Sequence, residues 1–166
     1  MTLASPFDKV GFCGKKWVAV SSFSFRGAPV LTLDQKSRLT VPARYRDLLM
    51  AEANGQMVIT KNHDGCLLLF PLPVWERREA ELNALPSEFE GWRRLYIGSA
   101  TDVEMDGAAR ILIPAELRAY AGLDRDVKFM GVGAYFELWD VARYDANEAA
   151  LIAGGRPEVL RNMVIR

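Results

Sequence analysis

Apolar and polar positions alternate through Val30, Thr32, Leu39 and Val41, on either side of the polar run Asp34-Gln35-Lys36-Ser37-Arg38. A two-residue period interrupted by such a run predicts a β-hairpin with one buried face. The period then changes. Tyr45, Leu48 and Leu49 fall at three- and four-residue spacing, which predicts a helix. Pro42 is placed to open that helix at its first position, where a missing N–H loses no bond. Asn54-Gly55 supplies a left-handed cap. The apolar runs at residues 56–61 and 66–70 predict two further strands.

The same succession returns, its turn and helix start at a constant offset of 72 positions, from Asp34/Asp106 to Arg46/Arg118. Five pairs are identical: Asp34/Asp106, Arg38/Arg110, Pro42/Pro114, Ala43/Ala115 and Arg46/Arg118, with Leu39/Ile111 and Val41/Ile113 aliphatic between them. The second helix carries Leu117, Tyr120 and Ala121, Gly122 caps it, and residues 126–130 and 135–139 form the second strand pair. A unit of strand, turn, strand, helix, strand and strand written twice predicts an α+β fold of tandem repeats. Trp75, Leu82 and Leu85 predict a helix over residues 74–85. Beyond Pro86-Ser87, the residues Phe89, Trp92 and Tyr96 mark another over 88–97. The expected units are an N-terminal extension (1–24), a first repeat (25–72), a helical insert (73–97), a second repeat (98–140) and a helical tail (141–166) broken at Gly154-Gly155.

Composition narrows the function classes. A chain of 166 residues, 50% of them hydrophobic, can bury one compact core or two small intertwined ones. Its 21 basic and 21 acidic residues cancel, which excludes a protein that coats nucleic acid by charge alone. His63 is the sole histidine, and Cys13 and Cys66 are too few for a zinc site, so no metal or cofactor is expected. Ser37 has no histidine beside it, Cys66 lies in an apolar run, and no glycine-rich phosphate loop occurs. These absences argue against an enzyme. No apolar run approaches the roughly 18 residues of a membrane span.

The first turn is the exception to neutrality. From Asp34 to Asp47, Lys36, Arg38, Arg44 and Arg46 face two acidic residues; from Asp106 to Ala119 the charges cancel, because Ala108 and Glu116 replace Lys36 and Arg44. Arginine or lysine on a short rigid loop is what phosphates and guanine edges require. Lys36, Arg38, Arg44 and Arg110 are therefore the candidate DNA-binding residues, with the first copy dominant. Asp34 and Asp106 are expected to hold the turns, by accepting backbone N–H groups or pairing with Arg38 and Arg110. Arg46 and Arg118, kept in both copies, fit a framework role. The alternative is an oligomeric or partner-binding scaffold that never touches DNA, which has no use for an outward basic turn.

Phe25-Arg26-Gly27-Ala28, the paired Asp-x-x-x-Arg turns and Phe136-Glu137-Leu138-Trp139 closely resemble MraZ, a bacterial family encoded at the head of the division and cell-wall gene cluster. The resemblance runs from Phe25 to about Tyr144. It implies tandem AbrB-like swapped-hairpin β-barrel repeats with peripheral helices. It also implies a transcriptional regulator that binds repeated sites on double-stranded DNA upstream of its own operon. A ring-shaped homo-oligomer, cytoplasmic and nucleoid-associated, completes the expectation. The residue before the turn arginine, commonly glycine in that family, is here Ser37 and Ala109. A left-handed backbone there costs a non-glycine residue on the order of 1 kcal/mol, which leaves a different turn geometry open. Residues 1–24 lie outside the resemblance. They are read either as an extension without a fold of its own or as a basic arm, through Lys15 and Lys16, that touches DNA or a neighbouring subunit.

Overall fold

The computed structural model describes residues 24–161, so the expectations for the extension and for the last five residues fall almost wholly outside it. The first copy runs through β1 (Phe25–Gly27), β2 (Val30–Thr32), β3 (Arg38–Thr40), α1 (Ala43–Ala53), β4 (Gln56–Lys61) and β5 (Leu67–Pro71). Helix α2 (Leu72–Asn83), a 3-10 turn at Ser87–Phe89 and α3 (Glu90–Tyr96) follow. The second copy repeats the order with β6 (Thr101–Glu104), β7 (Arg110–Leu112), α4 (Ala115–Ala121), β8 (Asp126–Gly133) and β9 (Tyr135–Asp140), then α5 (Val141–Ala153) and α6 (Glu158–Arg161).

Each copy pairs one hairpin within itself, β4 with β5 and β8 with β9, and neither completes a sheet alone. The main sheet has the order β1-β8-β9-β5-β4-β6, with β2 also on β8, and β3 and β7 form a separate two-stranded ribbon. The leading strands of the first copy thus complete the sheet of the second, and β6 returns the exchange on β4. All these pairings are antiparallel. The result is an α+β fold of two interlocked repeats around one main core, with a smaller buried cluster of Val58, Phe70, Val74 and Trp75 beside it. Leu39 and Ile111 lie opposite each other in the ribbon and are both fully buried. Phe25 and Tyr45 from the first copy close on Phe136 from the second, with ring centroids 4.1 and 5.1 Å away. Truncating Leu39 or Ile111 to alanine removes packing that belongs to both copies, a loss of roughly 2–5 kcal/mol.

Several boundaries differ from expectation for local reasons. Pro42 and Pro114 stand just before their helices, at φ −55° with ψ 137° and 138°, and the first helical residues are Ala43 and Ala115. The fixed φ of proline suits either state, and the extended ψ keeps both prolines outside. Strand β8 runs on to Gly133, three residues further than the apolar pattern suggests, because β1 pairs along that stretch. Gly131 there is a close-approach residue: a Cβ would stand 2.6 Å from the Arg26 nitrogen. Helix α2 begins at Leu72 with Pro73 in its first turn, and the expected 88–97 helix divides into a 3-10 turn and α3. The caps hold as expected, Asn54 at φ 51° and Gly122 at φ 63°.

Candidate nucleic-acid interface

Each Asp-x-x-x-Arg turn is closed by its aspartate. Asp34 Oδ1 accepts the Lys36 and Arg38 amides at 2.8 and 2.9 Å, while Oδ2 accepts Arg38 Nε at 2.8 Å. Asp106 does the same for Ala108, Arg110 and Arg110 Nε, at 2.9, 2.9 and 3.0 Å. The Arg38 amide and the Arg110 amide, foremost among these donors, hold the two carboxyl groups below the ordinary aspartate value. Both carboxylates are exposed, so the turns are fastened by charge-assisted bonds that water can reach.

The position before each arginine is left-handed despite its side chain. Ser37 stands at φ 59° and Ala109 at φ 58°, so the turn geometry keeps a conformation that glycine would adopt without strain. The ribbon holds these residues in place. Ile113 donates to the Ser37 carbonyl at 3.0 Å and Val41 to the Ala109 carbonyl at 2.8 Å, each bond crossing between copies. Arg118 donates through Nη1 to the Ser37 hydroxyl, and Arg46 through Nε to the Val41 carbonyl at 2.8 Å.

Register decides which side chains share a surface. Arg38 lies opposite Leu112 and Thr40 opposite Arg110. Cross-strand partners, and residues two apart on a strand, face the same way. Arg38, Thr40, Arg110 and Leu112 therefore occupy the outer face of the ribbon, with Leu39 and Ile111 beneath it. The two arginines are diagonal neighbours, about 7–8 Å apart at the backbone. Each is fastened to its aspartate through Nε. Among the described residues no acceptor engages the Nη groups of either arginine, and those groups are the ones a phosphate or guanine can take in bidentate fashion.

Lys36 is exposed in the first turn, where the second has Ala108. Arg44 is exposed too, but its guanidinium packs back toward β1, 4.7 Å from the Tyr45 ring and close over Gly27. The structure therefore brings Arg38 and Arg110 together and sets Arg44 over Gly27 and the Tyr45 ring instead. Glu116, its counterpart, pairs with Lys61 at 3.5 Å. Thr40 and Leu112 were not readable as members of this surface, because the pairing that places them joins segments of different copies.

The remaining reactive groups are engaged elsewhere. Burial pushes the Cys66 thiol up to about 12, and Asn62 Nδ2 lies 3.3 Å from its sulfur. His63 Nδ1 sits 2.7 Å from the Tyr96 hydroxyl. Among the described residues no group of three or more His, Cys, Asp or Glu could hold a metal, and no helix is long and apolar enough to cross a membrane.

Residues 24–95 and 96–164 each match the family described as "MraZ protein, putative antitoxin-like". Proteins named "Transcriptional regulator MraZ" from Ralstonia pickettii, Burkholderia mallei and Burkholderia thailandensis are each 51% identical to this chain over 138 residues. The alignment covers 83% of this chain and 97% of each relative.

Proposed function

The chain belongs to the MraZ family, and from that premise we propose that it is a transcriptional regulator that binds double-stranded DNA through the β3–β7 ribbon. The observation that carries this reading is the common outer face of Arg38 and Arg110. A two-stranded ribbon fits the major groove, about 12 Å wide, and its arginines reach phosphates or the O6 and N7 edge of guanine. Holding each guanidinium by Nε reduces the ordering cost on binding while leaving both Nη groups, with four N–H donors, to the ligand.

The first copy contributes most, through Arg38 and the exposed Lys36. Arg110 reads as the weaker half of the pair, and Arg44 as a supporting phosphate contact at the mouth of α1. Asp34 and Asp106 aim the arginines and touch no ligand. With no net charge and one small basic ribbon, a single chain neutralises few phosphates. Tight binding then follows from a homo-oligomeric ring that docks several ribbons on repeated sites. The sites are those upstream of its own operon, in the division and cell-wall gene cluster, and the protein works on the nucleoid in the cytoplasm without catalysis. A gel-shift titration with that upstream DNA, against a shuffled duplex at the same salt, tests the reading. Equal affinity for the two duplexes would refute it.

A further inference from the structure

A groove of about 550 Å³ lies on the outer face of the main sheet, and none of its lining residues belongs to the β3–β7 ribbon. Its floor is aromatic: Phe70 lies 5.0 Å from Tyr135 and 5.6 Å from Trp75, between ring centroids. Its lining carries three carboxylates, Asp64, Glu81 and Glu137, against one guanidinium, Arg78. Such a surface suits an apolar, aromatic segment flanked by cations.

The register of β1 shows where such a segment enters. Phe25 lies opposite Gly133 and Arg26 opposite Val132, while Val132 lies opposite Tyr135 across the β8–β9 hairpin. Ladder partners share a face, so Arg26, Val132 and Tyr135 form a row that leads from β1 to the groove floor. Val132 in the middle of that row is 37% exposed, an apolar step between the two. The chain preceding β1 therefore begins two strand spacings from Tyr135, about 10 Å. Three or four extended residues span that distance.

Residues 1–23 precede the described chain, and the family match begins at residue 24. They carry Trp17-Val18-Ala19-Val20-Ser21-Ser22-Phe23, directly after Lys15-Lys16. Lysines at 9, 15 and 16 stand against the single acid Asp8. We propose that the groove is the docking site for this chain's own residues 17–23. Trp17 seats among Phe70, Trp75 and Tyr135, and Lys15 and Lys16 lie beside the carboxylates. The short reach from β1 assigns each groove to the segment of its own chain.

The test uses the full-length chain with p-benzoylphenylalanine in place of Trp17 and, separately, in place of Val20. The second position retains the tryptophan anchor. After irradiation, peptide mapping should find adducts on Tyr135, Trp75 or the adjoining parts of α2 and β5. On a denaturing gel these adducts should run with the 18.6 kDa monomer. Glu81→Lys, an exposed change on α2, should lower the adduct yield severalfold. Adducts confined to other surfaces, adducts linking two chains, or a yield indifferent to Glu81→Lys would each overturn the proposal.

Discussion

The carbonyl of Ala109 accepts the Val41 amide at 2.8 Å, although the two residues belong to different copies of the repeat. Ser37 and Ile113 make the matching bond at 3.0 Å. Two left-handed, non-glycine residues are thus the fasteners between turn and opposite strand. Ala109→Gly should relieve roughly 1–2 kcal/mol of steric strain and add back about 0.5–1 kcal/mol of unfolded-state entropy. A net gain of roughly 0.5 kcal/mol is expected in urea unfolding. Ser37→Gly should gain less, because it also discards the hydroxyl that Arg118 donates to. A clear loss of stability from Ala109→Gly would show that the side chain is not strained there.

Acid should loosen the turns in a definite direction. The folded pKa values of Asp34 and Asp106 lie below the unfolded value, 3.8. Their contribution to stability is therefore present above that pH and is lost as pH falls through the depressed folded values. The double variant Asp34→Asn, Asp106→Asn should unfold more readily at neutral pH and lose this part of the acid dependence. Unfolding curves recorded between neutral pH and pH 3 check it; identical pH profiles for the two proteins would contradict it.

One chain already joins two copies in a single core, so further assembly must use other surfaces, and the exposed sides of α2 and α3 are the candidates. Light scattering at micromolar concentration should give a homo-oligomer of more than two chains. A clean monomer would contradict the ring.

Multivalent docking makes a separate demand on the DNA. Duplexes with two or three repeats at whole-turn spacing, roughly 10–10.5 base pairs, should bind far more tightly than one repeat. Displacing one repeat by half a turn should abolish most of that gain. Indifference to repeat number or phase would contradict cooperative docking by several ribbons.

Much of the local structure was legible because its causes are local. Polar turns between alternating runs mark β3 and β7, and Asn54 and Gly122 mark the helix ends by tolerating positive φ. Periodicity and spacing alone could not supply the exchange, which only the family resemblance implied. Two copies of one motif look the same whether each hairpin closes on itself or on the other, and only the pairing of β3 with β7 puts Thr40 beside Arg110. The same non-locality hid Gly131, which lies just past the strand expected over residues 126–130 and is claimed for β8 only by its pairing with β1. The basic residues were visible as residue types, while the grouping of Arg38 with Arg110 depends on that exchange and the contact of Arg44 with Gly27 on the packing of α1 near β1.

The most direct test compares Arg38→Ala with Arg110→Ala in salt-controlled gel-shift titrations, with circular dichroism to show that the fold is kept. Arg38→Ala should weaken binding to the upstream DNA by roughly 1–3 kcal/mol for each ribbon docked on a base or phosphate. Arg110→Ala should cost less, since its turn has Ala108 where the first has Lys36. Equal losses would contradict the dominance of the first copy. Unchanged affinity in both folded variants would contradict DNA recognition by the ribbon itself.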